Sequence, residues 1–308
     1  MDVTIAICTY NRAAYLEQTL NSIAQMDVPA GTKWEVVVVN NNCSDATDET
    51  INRFAGTLPI RREFEACEGL SNARNRAIAA AQGDYIIWTD DDVVVASEWI
   101  GAYLAAFRRW PDAAIFGGMI VPRFEEPIPR WLSEVLPLID RVFAARDMGE
   151  VSVLLSPEHD RMPYGANYAV RAQEQRLHPY DPELGRRPGR NRIGEESAVM
   201  EAILRTGKAG YWVPSARVVH CVSRERQTLR YVKRQVMAYG ETKEFMEQKS
   251  RSYTGPMLIG APRWLWRQLA AQASTYICFR LTSPPRTWMR PYLDYCLLLG
   301  ALKYWWSR

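Results

Sequence analysis

A chain of 308 residues with 47% hydrophobic and 24% charged side chains can bury one large α/β domain plus an appendage, or two small domains. That balance excludes wholesale disorder and a multi-span membrane protein. With 38 basic residues against 35 acidic ones, the net charge of +3 makes no case for nucleic acid, and no nucleic-acid partner is expected. Six cysteines lie scattered without a CxxC pair and no signal segment opens the chain, so a reducing cytoplasm is the expected setting, with Cys8 in the core.

Apolar runs at 3–8 and 34–39 read as buried parallel strands, with a helix over about 12–25 between them. A third unit runs from a strand at 58–64 through a helix near 70–82 into the strand Tyr85-Ile86-Ile87-Trp88. Alternating strand and helix over the first 120 residues predicts an open, doubly wound α/β sheet. From about 120 to 160 the pattern loosens, and five prolines leave irregular segments with a short helix near 131–146. A strand near 163–170, a loop at 185–194, a helix over 195–207 and strands at 210–213 and 216–221 follow, and the remainder reads as helical.

Ligands of doubly wound sheets bind beyond the carboxyl ends of the strands. Three polar turns stand there: Thr9-Tyr10-Asn11-Arg12, Asn40-Asn41-Asn42-Cys43-Ser44-Asp45 and Thr89-Asp90-Asp91-Asp92. All three are expected to converge on one edge. Three successive carboxylates repel one another, and a divalent cation would supply the counter-charge. Their hard oxygens suit Mg2+ or Mn2+, ions that keep positions open for substrate phosphates, so a nucleoside diphosphate is the natural guest. A plain acidic turn is the alternative.

Five motifs in order resemble family-2 glycosyltransferases, inverting enzymes of the GT-A fold: the opening strand with Thr9-Tyr10-Asn11-Arg12, Gly69-Leu70-Ser71-Asn72-Ala73-Arg74-Asn75, the aspartate cluster, Gly165-Ala166-Asn167 and Gly194-Glu195-Glu196. The resemblance covers about residues 3–222. It implies a catalytic domain over 1–222, with a nucleotide-binding half to about 120 and an acceptor half from 121, followed by a helical extension at 223–308. It implies that Thr9, Tyr10, Asn11, Arg12 and Asn40 hold the base and ribose, although Asn40 stands where the family commonly has Asp. Arg74 would approach the phosphates with Asn75 beside it. Asp90 and Asp92 would form the DxD motif, with Asp92 on the metal, Asp90 nearer the ribose, Asp91 completing the cluster and His220 a further ligand. Gly165 and Asn167 would lie under the donor sugar or acceptor. Inverting transfer needs a base for the acceptor hydroxyl, a role the resemblance gives to Glu196, with Glu195 as supporting or substitute acid.

The expected partners are a nucleotide-diphosphate sugar, a UDP-sugar first among them, and a glycan or lipid-linked glycan acceptor in polysaccharide synthesis. Trp131 is read either as a sugar-stacking residue or as core. Positions 291–306 are aromatic and apolar, flanked by Arg and Lys. They are too short to span a bilayer and read as lying on the inner membrane face, packing on the catalytic domain, or joining a homodimer. Two rivals remain: a sugar nucleotidyltransferase, which would want a Gly-rich loop after the first strand, and a non-catalytic membrane-associated nucleotide-sugar-binding subunit.

Overall fold

The computed structural model describes residues 1–307. In chain order the elements are β1 (Val3–Thr9), α1 (Ala13–Ala24), β2 (Trp34–Asn40), α2 (Thr47–Arg53), β3 (Ile60–Phe64), α3 (Leu70–Ala80), β4 (Tyr85–Asp90), β5 (Val93–Val95), α4 (Trp99–Arg109), β6 (Ile115–Phe124) and α5 (Arg130–Ile139). They continue as β7 (Asn167–Arg171), α6 (Ala172–Leu177), two-residue strands β8 (Arg186–Arg187) and β9 (Arg190–Asn191), α7 (Glu195–Arg205), β10 (Gly210–Val222), α8 (Leu229–Ser250), a hairpin of β11 (Met257–Leu258) and β12 (Ala261–Pro262), α9 (Arg263–Thr282) and α10 (Pro285–Trp306).

The chain divides into two units. The first comprises 1–123, 144–189 and 195–221 and is built on an eight-stranded mixed sheet in the order β3-β2-β1-β4-β7-β6-β10-β5. Strands β3, β2, β1 and β4 run parallel, with Thr9 opposite Asn40 and Cys8 opposite Asp90, so the three polar turns do meet at one edge. The inner parallel strands β1 and β2 are largely apolar, as strands covered on both faces must be, whereas the edge strand β3 is charged and half-exposed. Val36 and Val38 pack with Leu16, Leu20, Trp99 and Tyr103 on one side. Val37, Val39 and Trp88 pack with Ala73, Ala77 and Tyr168 on the other.

The second unit comprises 124–143, 190–194 and, among the described residues, 222–307. Residues 124–143 and 190–194 therefore group with the C-terminal helices and do not complete a contiguous 1–222 domain. The physical reason is the apolar face of α5: Leu132, Val135, Ile139 and the following Phe143 are buried with Tyr231, Val232, Trp288, Met289 and Cys296. Trp131 is half-buried against that same helical core, which favours its reading as a packing residue over a sugar platform. Much of the aromatic tail is spent in the same way, since α10 buries Trp288, Tyr292, Tyr304 and Trp305 within the unit. Among the described residues no helix is long and apolar enough to cross a membrane.

Two further expectations change. Strand β6 continues to Phe124, through the stretch that reads as irregular from 120, and its residues to Ile120 are buried. The strands expected at 210–213 and 216–221 are one strand, β10, which carries Pro214 without interruption.

Candidate active site at the carboxyl edge of the sheet

The acidic turn leaves β4 at Asp90 and re-enters the sheet at Val93, whose partner in the register is His220 of β10. Asp91 and Asp92 are each 4% exposed, and Arg12 clamps both: its Nη1 lies 2.5 Å from Asp91 Oδ1 and its Nη2 2.8 Å from Asp92 Oδ2. The Thr9 hydroxyl donates to Asp91 Oδ2 at 2.7 Å. Part of the counter-charge sought from a cation is thus supplied by the loop after β1, and Thr9 and Arg12 face the carboxylates, where the resemblance would have them face a base or ribose. Burial pushes the Asp91 carboxyl up, against the pull of Arg12.

Asp90 is the carboxylate open to solvent, with 41% of its side chain exposed. The protein packed around it, and then Asp92 beside it, raise its pKa, so a cation arriving here would relieve a standing repulsion. His220 Nε2 lies 3.4 Å from Asp92 Oδ2. Among the described residues no three His, Cys, Asp or Glu side chains are already gathered around one point. The donors present, an open carboxylate and a carboxylate–imidazole pair, fit an ion that takes one or two protein ligands and completes its shell with substrate phosphates.

Arg74 projects from α3, which starts after Gly69 at φ +141°. Its side chain is 4% exposed, and Nη1 bonds Glu195 Oε1 at 2.7 Å. The same guanidinium lies 3.7 Å from Glu196 and 3.9 Å from Asp90. Burial opposes its charge, but the neighbouring Glu195 and Glu196 outweigh burial, so it stays protonated. Glu195 is buried, and that burial, with Glu196 next, pushes its carboxyl up against the pull of Arg74. The Glu196 side chain is more open, at 17% against 4% for Glu195. Gly165 explains how these groups approach one another: a Cβ there would sit 2.8 Å from Arg74 Nη2 and 3.4 Å from Glu196 Oε1. Its lack of a side chain leaves space for the Arg74–Glu196 pair.

Three other residues have internal duties. Asn167 is fully buried, donating to the Met119 and Ala216 carbonyls at 2.9 and 2.8 Å and accepting from Trp99 Nε1 and Tyr103 at 2.9 and 2.8 Å. No face of that amide is left for a sugar. Asn75 exchanges two hydrogen bonds with the Tyr180 backbone, at 2.9 and 2.8 Å, which pins the 180 loop onto α3. Asn40 is 3% exposed; its amide donates to Asp48 at 2.6 Å and its oxygen accepts from Cys43 N–H at 2.7 Å. Asn11, at φ +52°, accepts from Ser44 N–H at 2.7 Å, tying the first two turns together, while Tyr10 is exposed and donates to Glu68 at 3.3 Å. Sequence reasoning missed Asn41, whose amide accepts from Gly69 N–H at 2.8 Å and donates to the Glu65 and Cys67 carbonyls. It also missed Asp48, the acid behind Asn40, which Arg62 grips through two nitrogens.

The family model for glycosyl transferase family 2 matches residues 4–171, more than half of the chain. The chain belongs to glycosyl transferase family 2. Among relatives of this family-2 chain, the succinoglycan biosynthesis protein ExoM of Rhizobium meliloti is 28% identical over 134 residues, 43% of each chain. The match thus spans under half of that relative's length. The glucosyl-dolichyl phosphate glucuronosyltransferase of Haloferax volcanii is 25% identical over 226 residues, 71% of this chain and 69% of its own. The solved mannosyltransferase PcManGT from Pyrobaculum calidifontis, in complex with GDP-Man and Mn2+, shares the fold with a TM-score of 0.64 at 22% identity, covering 99% of this chain and 87% of its own. S. aureus TarS 1–349 with UDP-GlcNAc gives 0.57 at 14% identity, covering 98% of this chain and 92% of its own. The family-2 chain has the GT-A fold, with a helical C-terminal region.

Proposed function

We propose that this transferase moves a sugar, with inversion, from a nucleoside-diphosphate donor to a hydroxyl of a glycan or lipid-linked glycan in polysaccharide synthesis. The observation that carries the reading is Arg74: one buried guanidinium contacts Glu195, Glu196 and Asp90, and so joins the acidic turn to the acids that open α7. A donor-side charge site and an acceptor-side base are the two parts such a transfer needs. Neighbours whose structures hold GDP-Man with Mn2+, or UDP-GlcNAc, support this class of donor.

Asp90 and Asp92, with His220 beside Asp92, would hold Mg2+ or Mn2+. When bound, the ion supplies positive charge to the departing diphosphate. Arg12 holds Asp91 and Asp92 in place. Glu196, the more open of the two acids, accepts the proton of the acceptor hydroxyl as its oxygen attacks the anomeric carbon. Glu195, engaged at 2.7 Å, fixes Arg74. Tyr10, exposed on the loop after β1, is the residue available to a nucleoside base.

The relative with a dolichyl-phosphate-linked sugar in its name supports a lipid-linked acceptor, and α9 supports a membrane surface. That helix buries only Leu265 and Leu269, exposes Ile277 and Leu281, and contains arginines but no acidic residue. Ile277→Asp should weaken co-sedimentation with anionic vesicles; equal binding would remove the membrane reading. The test of the function itself is calorimetric titration with UDP, GDP, CDP and dTDP, each with and without Mn2+. Manganese-dependent binding of one nucleotide is expected, and binding of none would refute the proposal.

A further inference from the structure

The β11–β12 hairpin of the second unit carries an ill-suited residue at its tip. Met257 pairs with Pro262 and Leu258 with Ala261, which leaves Ile259 and Gly260 as the two central residues of the turn. Both have positive φ, +45° and +73°, as in the two-residue hairpin turns where Asn-Gly is the ordinary choice. A β-branched side chain fits that backbone badly, and Ile259 gains no burial in return, being 71% exposed. Met257 and Leu258 beside it are exposed as well.

The tip is nonetheless held in place. Trp266 Nε1 donates to the Leu258 carbonyl at 2.7 Å and Trp306 Nε1 to the Ile259 carbonyl at 3.0 Å. The two indole rings lie 5.8 Å apart, and Trp306 is itself exposed. The Arg263 N–H closes the base of the hairpin on the Pro256 carbonyl at 3.0 Å. An apolar tip is thus braced by tryptophans and presented outward.

Charge indicates what meets it. Residues 249–293 hold seven Lys and Arg and no Asp or Glu, and Arg251, Arg263 and Arg267, which flank the hairpin in sequence, are exposed. A second copy of the chain would set this basic stretch against itself, and like charges facing one another are costly. A bilayer with anionic headgroups suits it: apolar side chains enter the acyl boundary, indoles sit at headgroup level and guanidiniums meet phosphates. We propose that the tip Met257-Leu258-Ile259 is the point at which the second unit inserts into an anionic membrane surface. The proposal rests on the membrane reading of α9 and gives it an insertion point.

The test is co-sedimentation of the full chain with vesicles of equal parts phosphatidylcholine and phosphatidylglycerol, and of phosphatidylcholine alone, for wild type, Ile259→Asn and Ile259→Leu, with light scattering of each protein free of lipid. Asn suits the turn better than Ile, so Ile259→Asn should melt no lower than wild type, while its partition onto the anionic vesicles falls about tenfold, the lower end of what burying an isoleucine side chain contributes. Ile259→Leu, which keeps the apolar area, should bind within about threefold of wild type. Phosphatidylcholine alone should hold wild type at least about tenfold more weakly. Equal binding by Ile259→Asn and wild type would overturn the insertion point and leave the membrane reading standing, as would loss of binding in Ile259→Leu. Absence of wild-type binding to either vesicle would overturn both. A wild-type dimer that Ile259→Asn dissociates, with vesicle binding unchanged, would overturn the proposal by giving the tip to a second copy.

Discussion

Gly165→Ala is a small perturbation with a consequence that can be worked from distances. The added methyl would lie 2.8 Å from Arg74 Nη2 and 3.4 Å from Glu196 Oε1, while ordinary contacts begin near 3.4 Å. The guanidinium must therefore retreat by about 0.6 Å or more, and it is held at 2.7 Å by Glu195, so the acid moves with it. Overpacking of this size costs about 1–3 kcal/mol of stability, which a folded domain of this length survives. The rate is more sensitive, because displacing a reacting group by about 1 Å can cost about 100-fold. Kinetics should show kcat down 10- to 100-fold with a smaller weakening of nucleotide binding, since the methyl meets Arg74, which lies 3.9 Å from Asp90. A kcat within about twofold of wild type would refute the claim that Gly165 makes room for the Arg74–Glu196 pair.

Two further outcomes follow from polar groups buried in the first unit. Asn167→Ala leaves four internal partners without their amide; urea denaturation should show a loss of about 3 kcal/mol or more, and the nucleotide affinity of the folded fraction should hold. Glu35 is buried, which raises its pKa, but bonds from Arg61, the Gln82 N–H and Thr4 outweigh that and bring it below the ordinary value of 4.5. Its stabilisation is therefore present above about pH 4.5 and lost as the pH falls through the folded pKa. Glu35→Gln should lower stability at pH 7 by about 2 kcal/mol and flatten the Tm profile below pH 4.5; an unchanged acid limb would contradict the assignment.

The sheet was legible because its inner parallel strands β1 and β2 are buried on both faces and read as apolar runs, Val36 to Val39 most plainly. The convergence of the three turns followed from strand order alone. Side-chain partners were less accessible. Arg12 and Asp91 lie 79 residues apart, and nothing in a polar turn says whether it faces a ligand or a neighbouring turn. Asn167 shows the same limit, because a Gly-Ala-Asn motif in a donor-binding fold reads as a contact, yet the amide is consumed by Trp99, Tyr103 and two carbonyls. The grouping of 124–143 with the C-terminal helices was hidden by prolines, which mark breaks but do not say which core a short amphipathic helix joins.

In the proposed reaction Glu196 takes the acceptor proton while the Asp90–Asp92 turn holds the donor. This division of roles is tested most directly by measuring nucleotide binding and sugar transfer in parallel for wild type, Glu196→Gln and Glu195→Gln. Glu196→Gln should bind the nucleotide as wild type does and lose transfer by 100-fold or more, within the range of about 10²–10⁴ that general-base catalysis contributes. Full transfer by Glu196→Gln, with transfer lost in Glu195→Gln, would contradict it.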